Sequence, residues 1–422
     1  MWQNEQNGCG GGVVVQLDDL DGWRDSFEAF HARFAHLFVR RESREQAAKY
    51  LRGLLAPVER KNGWQVAEAV GDATPDRMQR LLYRVDWDAD AARDILNAFV
   101  VEIFGHPDGI GVLDETGFLK KGIHSVGVQR QYSGTAGKIE NCQIGVFLTY
   151  SAPTGHVFLD RRLYLPESWC EGTPRRTAAQ VPEDVVFQTK PEQGIAMLKH
   201  AWAKGVPMRW VTGDEVYGDD PRLRETVERQ GCGYVLAVSS TTPVWTERPP
   251  VVEPVRTTGG RPRTKVRLAP DAPPATTVAA VVASWPADQW QRFSVAEGEK
   301  GPRVYDWGRV RVIESRHQMP GPEVWLLVRR SVSDPTELAY YLALAPWETT
   351  LEEMAVVAAT RYTVEQCFEE AKGETGLDHY EVRHWTSWYR HITLSMLAHA
   401  WLAAIRSTEA AKGGLQLQNW RA

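Results

Sequence analysis

The sequence predicts an α/β protein: a helical N-terminal region, then a core of alternating strands and helices that a β-rich segment interrupts. Three observations predict it. Large apolar residues recur at helical spacing between Leu20 and Val101, first Trp23, Phe27, Phe30 and Phe34, then Ala47, Leu51, Leu54 and Leu55. After His106 the pattern changes to short apolar runs bounded by turn residues. Near residue 241 the composition shifts to a Pro-, Thr- and Arg-rich stretch, followed by strand-like pieces to about residue 345.

Bulk properties agree with a globular chain of more than one unit. Its 422 residues are 43% hydrophobic and 24% charged, which excludes disordered, collagen-like and disulfide-stapled classes. The longest apolar runs, Thr277 to Trp285 and Leu394 to Ile405, fall short of the roughly 18–20 residues a membrane span needs. No secretory signal is visible at the start. Five scattered cysteines (Cys9, Cys142, Cys170, Cys232, Cys367) form no CxxC pair, so we expect a reducing, cytoplasmic setting and no zinc framework. A net charge of −5 lowers the expectation of nucleic-acid binding but leaves room for local basic patches.

Taken in order, residues 1–19 are expected to form a flexible tail. A helical unit over 20–105 carries frequent arginines and lysines, among them Arg33, Arg40, Arg41, Arg44 and Arg52. These are either solvated helix faces or a DNA-binding surface. Asp72 or Thr74 before Pro75 marks a helix start. In the first part of the core, 106–240, Ile110–Asp114 reads as a buried strand ending in an acid. Ser125–Tyr132 and Cys142–Tyr150 read as a hairpin or meander, with Gly134, Gly137 and Lys138 between them. Residues 191–204 read as a helix, Met208–Asp214 as a second strand ending in an acid, Pro221 to Gln230 as a helix, and Tyr234–Val238 as a strand. The β-rich insertion spans 241–346, with strands expected at Val278–Ser284, Phe293–Val295, Arg309–Ile313, Val324–Val328 and Ala339–Leu344. Helices return over 347–408 to close the core, and 409–422 is a second tail.

Three acids stand out: Asp114 and Asp214 on strands, and Glu365 on a later helix. A buried carboxylate is costly without a partner, and a divalent cation suits several at once. Each acid alone also reads as a helix cap or surface residue. An acid on the first of three strands, a second on a later strand and a third on a final helix is the order of a ribonuclease-H-like core. Arg361, Glu365 and Lys372 fall at i, i+4 and i+11, nearly one helix face at about 100° per residue. That face suits metal and phosphate together, or a surface salt bridge. Other motifs are negative: Gly134-Thr-Ala-Gly137-Lys138 is no Walker A loop, and His379, His384, His391 and His399 form no standard ligand set. Of the 17 tryptophans, Trp401 reads as core, whereas Trp285, Trp290, Trp307 and Trp325 in the insertion are candidates for stacking on a base.

The segments LDETGFLKKG (113–122), GVQRQYSGTAGKIENCQIGV (127–146), TGDEVYG (212–218) and RYTVEQCFEEAKGETGLDHYEVRHW (361–385) resemble bacterial insertion-sequence transposases of the DDE superfamily, in the insertion sequence 701 family. YLRGLLAPVERKNGWQVAE (50–68) is similar to the same family. The resemblance implies a ribonuclease-H-like catalytic core in which Asp114, Asp214 and Glu365 hold Mg²⁺, with Mn²⁺ as substitute. It also implies the signature Y-x2-R-x3-E-x6-K, matched by Arg361, Glu365 and Lys372, while Ala358 stands at the tyrosine position. Glu369 and Glu370 are rivals for the third acid, but only Glu365 keeps both spacings. The implied activity is cutting element ends and joining them to target DNA by two-metal phosphoryl transfer. Its partners are double-stranded DNA, at terminal inverted repeats and target, and a second copy of the chain on DNA, with no membrane. Arg361, Lys372, Arg130 and Lys138 are the implied phosphate contacts. A domesticated DNA-binding protein without transposition, or another nuclease on the same core, are the alternatives.

Overall fold

The computed structural model describes residues 17–171, 174–254, 265–298 and 301–411; residues 1–16 of the expected tail over 1–19, most of the expected tail over 409–422, Cys9 and part of the Pro- and Arg-rich stretch lie outside them, whereas residues 17–19 are the start of the first helix rather than tail. Five helices come first: α1 (Leu17–Ala35), α2 (Arg41–Leu55), α3 (Gly63–Ala69), α4 (Asp76–Tyr83) and α5 (Ala89–Phe104). Asn62 caps α3 and Asp88 caps α5, each accepting two backbone N–H groups that the first turn leaves free. α4 starts after Pro75, as the sequence suggests.

Four strands follow: β1 (Ile110–Leu119), β2 (Gln129–Ser133), β3 (Lys138–Ala152) and β4 (Gly155–Tyr164). Next come α6 (Glu167–Cys170), α7 (Pro174–Ala178), α8 (Lys190–Ala203), β5 (Trp210–Gly213), α9 (Glu215–Gly218), α10 (Pro221–Arg229) and β6 (Gly233–Val238). β1, β3 and β4 form an antiparallel meander; β5 runs parallel to β1, and β6 parallel to β5. A three-strand meander joined to a parallel pair fits the ribonuclease-H-like arrangement. Every residue of β3 from Cys142 to Ala152 is buried, which demands cover on both sheet faces.

The segment over 241–346 contains β7 (Pro243–Trp245), β8 (Val251–Val252), β9 (Arg267–Leu268), β10 (Thr276–Thr277), α11 (Val278–Val282), β11 (Gln291–Gly298), β12 (Gly301–Arg316), β13 (Met319–Ser331) and β14 (Leu338–Leu344). β14 pairs antiparallel with β6, so the segment lengthens the core sheet to 12 strands. The strand expected over Val278–Ser284 is helix α11 instead. Its β-branched residues suit a strand, but Thr277 accepts the Ala280 N–H and starts a helical turn.

The chain closes with α12 (Leu351–Thr360), α13 (Tyr362–Thr375) and α14 (Trp385–Ala411). α14 is buried on nearly all sides from Ser387 to Ala400, because the N-terminal helices wrap one side and β4 covers another. Tyr50 hydrogen-bonds His391 at 2.9 Å, and Arg390 donates to the carbonyls of Leu82 and Trp87. Arg93 reaches Asp160 and Arg161 reaches Asp90, tying α5 to β4. The N-terminal helices therefore share one apolar core with the sheet. Because α14 continues to Ala411, its last turns occupy residues 409–411, where the sequence suggested a tail.

Candidate active site

Asp114 lies in the middle of β1, not at the end of a strand as expected. β3 pairs with β1 as far as Leu119, whereas β5 stops pairing after Leu113 opposite Gly213. The residue following each member of that last pair is an aspartate, Asp114 on one strand and Asp214 on the other. Asp214 caps α9, with Oδ1 accepting the Val216 N–H at 3.0 Å. Two acids distant in sequence are thus neighbours because the two strands run parallel and one of them ends there.

Donor oxygens of Asp114, Glu115 and Asp214 all lie within 4.8 Å of one another, forming the one group of this kind among the described residues. Asp114 is 9% exposed. Burial, then the charge of Asp214, push its carboxyl up to about 7, although Arg361 pulls the other way. Burial and the charge of Glu115 push Asp214 up to about 6, again against Arg361. Clustered carboxylates that resist ionisation are a site short of positive charge. Hard oxygen donors in this number fit Mg²⁺ or Mn²⁺.

Arg361 stands at the joint between α12 and α13. Its guanidinium lies 3.4 Å from Asp114 Oδ2 and 3.7 Å from Glu365 Oε1. Glu365 is outside the 4.8 Å group but shares this arginine with Asp114, and its side chain is 58% exposed. Lys372 donates to Thr116 at 2.7 Å and to Thr135 at 3.3 Å. Thr116 is two residues beyond Asp114 on the same strand face. Burial lowers the Lys372 ammonium below its ordinary range, opposed by Asp378. Arg361, Glu365 and Lys372 therefore reach the neighbourhood of the aspartates from one helix.

Glu370 is committed elsewhere. His399 lies 3.1 Å from it, Arg406 2.9 Å and His156 3.5 Å, all away from the aspartates. Burial raises its carboxyl, but these partners outweigh burial and hold it far below the usual range. Glu369 is exposed. His391 is also structural, donating or accepting between Tyr50 and the Gly376 carbonyl, with burial lowering it to about 3.

Arg130 and Lys138 are exposed on the β2–β3 hairpin, and Lys138 pairs with Glu140 at 3.0 Å. The hairpin tip is tied to the site through Thr135, which contacts Thr116 and Lys372. The tryptophans expected to stack on bases are mostly engaged. Trp307 is 1% exposed, Arg330 covers Trp290 at 4.2 Å, and Arg309 covers Trp325 at 4.2 Å. Trp401 is partly buried, edge-on to Phe27.

Sequence reasoning missed Glu115. It accepts from Lys190 Nζ at 2.5 Å and from the Tyr217 hydroxyl at 2.9 Å. The available signal was the Asp114-Glu115 doublet itself, since a second acid on a buried strand also needs partners.

A parallel strand pair presents a buried and a half-buried aspartate side by side, with a third acid on a following helix, and the chain belongs to the DDE superfamily endonuclease family, whose model matches residues 33–302. That match includes Asp114 and Asp214 and stops before Glu365. The chain is similar to a probable transposase for insertion sequence element IS701 from Microchaete diplosiphon, with 25% identity over 198 residues, 46% of this chain and 49% of that protein. It spans about half the length of this curated relative. The family resemblance read from the four sequence segments is thus supported by both findings. Among the described residues no helix is long and apolar enough to cross a membrane.

Proposed function

We propose that this chain is a DNA transposase that cuts element ends and joins them to target DNA. The observation that carries the reading is the convergence of Asp114 and Asp214 at the end of a parallel strand pair, with Arg361 linking Asp114 to Glu365. Asp114, Asp214 and Glu365 would hold Mg²⁺, with Mn²⁺ as substitute. When bound, the ions supply Lewis acidity at the attacking and leaving oxygens.

The chain's own residues do the positioning. Arg361 and Lys372 bind phosphates beside the scissile bond, and Arg130 and Lys138 extend that track along the hairpin. In the first step a water oxygen attacks the phosphorus at the element end. The P–O3′ bond breaks and the departing oxygen takes a proton, leaving a 3′ hydroxyl. In the second step that hydroxyl attacks a target phosphorus and displaces the target's own O3′. The helical region over 20–105 recognises terminal repeats, partly through phosphate contacts that fix register. Two copies of the chain bring two ends together.

The test uses a plasmid carrying the gene with its native flanks, the purified protein and Mg²⁺ or Mn²⁺. Metal-dependent cuts at discrete flanking positions, lost in Asp214→Ala, are expected. Tight binding to the flanks with no cutting by wild type would instead support a non-catalytic DNA binder. Cleavage of RNA–DNA hybrid without DNA joining would support a different nuclease.

A further inference from the structure

Glu115 stands beside both aspartates, yet the order of elements gives it no role. Strand pairing explains its surroundings. Since β5 stops at Gly213, the edge of β1 beyond Leu113 has no strand neighbour on that side. Lys190, the first residue of α8, and Tyr217 of α9 approach there instead. Lys190 Nζ donates to one oxygen of Glu115 at 2.5 Å, and the Tyr217 hydroxyl donates to the other at 2.9 Å. Tyr217 is completely buried. It belongs to the short turn that Asp214 caps, where the Tyr217 and Gly218 N–H groups both donate to the Asp214 carbonyl. One carboxylate thus ties the strand carrying Asp114 to the turn carrying Asp214, and both to α8.

We propose that Glu115 is a positioning residue for the metal centre: through Tyr217 and Lys190 it holds the Asp214 turn against β1, so that the two aspartates keep the spacing a divalent cation requires. The proposal rests on reading those aspartates as metal ligands. A direct ligand role for Glu115 fits less well. Both of its oxygens already accept hydrogen bonds, and turning one to an ion would leave the buried Tyr217 hydroxyl without this partner, which is costly. Partners that orient ligands without touching the metal are known to govern affinity.

The experiment measures Mn²⁺ binding to the full-length protein in the absence of DNA, by the loss of the free-ion paramagnetic resonance signal. Wild type is compared with Asp114→Asn, Glu115→Ala, Glu115→Gln and Tyr217→Phe, with thermal unfolding of each as a folding control. Glutamine can keep both contacts, accepting from Lys190 through its oxygen and donating to Tyr217 through its nitrogen. The expected result is binding weakened about tenfold or more in Glu115→Ala and Tyr217→Phe, and restored to within about threefold of wild type in Glu115→Gln. If Glu115→Gln loses binding as fully as Asp114→Asn while Tyr217→Phe is unaffected, Glu115 is a ligand and the proposal falls. If Asp114→Asn abolishes binding and neither Glu115→Ala nor Tyr217→Phe changes it, the proposal falls while the metal reading stands. If Asp114→Asn itself binds Mn²⁺ like wild type, the metal reading fails. Should Glu115→Ala not fold, Tyr217→Phe, which removes one oxygen atom, decides the matter alone.

Discussion

Two buried acidic sites in this protein differ in one respect, and the difference separates scaffold from chemistry. Glu314 of β12 is fully buried, and Arg224 at 2.7 Å, Arg316 at 2.8 Å and Tyr234 at 3.1 Å satisfy it. At the other site Asp114, Glu115 and Asp214 crowd together, and Arg361 and Lys190 are the cations at hand. The first site is electrically closed and ties the lengthened sheet to α10. The second carries surplus negative charge that the fold itself raises in energy. Such a surplus of oxygen donors and negative charge suits a divalent cation.

The largest expected effects come from opposite changes at the two sites. Arg224→Met leaves Glu314 short of a cation and should cost about 3–5 kcal/mol of stability, read from denaturant unfolding. Asp114→Asn or Asp214→Asn should reduce DNA cutting to background while leaving the unfolding midpoint unchanged or higher, because a buried repulsion is relieved. A drop in midpoint for these two variants would erase the contrast.

Glu365 and Glu370 of α13 sharpen it further. Glu365→Gln should remove cutting and leave stability intact, since the side chain is 58% exposed and pairs with Arg361 at a loose 3.7 Å. Glu370→Gln should do the reverse: its bonds to His399 and Arg406 weaken, with a loss of about 1–3 kcal/mol and little change in metal binding. Equal activity losses in both variants would break the distinction.

How much of this was legible beforehand follows from which contacts are local. Asp114 and Asp214 stood out because apolar runs ended on or passed through them, and Glu365 because its helix spacing to Arg361 and Lys372 is a local property. The partnership between acids could be read only from the order of elements. Glu115 was missed because neighbours on a strand normally face opposite ways, and only the early end of β5 brings its carboxylate round to Asp114 and Asp214. The sheet's extension through β14 and β6, and the encirclement of α14 by helices from the other end of the chain, rest on contacts that no local pattern encodes. α11 was misread because a run of valines and alanines suits either state until the Thr277 cap decides it.

The pH response gives a smaller effect of definite sign. Asp114 and Asp214 are raised in the folded chain, to about 7 and about 6, from an ordinary aspartate value near 3.8. Between those limits the folded state holds more protons than the unfolded state, so their contribution to stability is present below about 4 and is lost as pH rises through 7. In chelator, the unfolding midpoint of wild type relative to the Asp114→Asn/Asp214→Asn double variant should therefore fall between pH 5 and pH 8. Mg²⁺ should restore it at pH 8 and have little effect at pH 5. A metal effect of equal size at both pH values would contradict the assignment. The smallest effects belong to the exposed hairpin. Arg130→Ala and Lys138→Ala should each weaken DNA binding modestly and lower the salt dependence by about one unit of slope, measured by titration across salt concentrations.

In the proposed enzyme, β1, the turn after β5, and α13 meet at one metal centre. Fe²⁺ can occupy oxygen-donor sites of this kind, and with ascorbate and peroxide it cuts the polypeptide close to where it is bound. Mass spectrometry of the fragments locates the cuts. Cleavage near residues 114, 214 and 365 is expected in wild type, and none of the three in Asp114→Asn. Cuts near 114 and 214 without any near 365, or cuts spread along the chain, would contradict it.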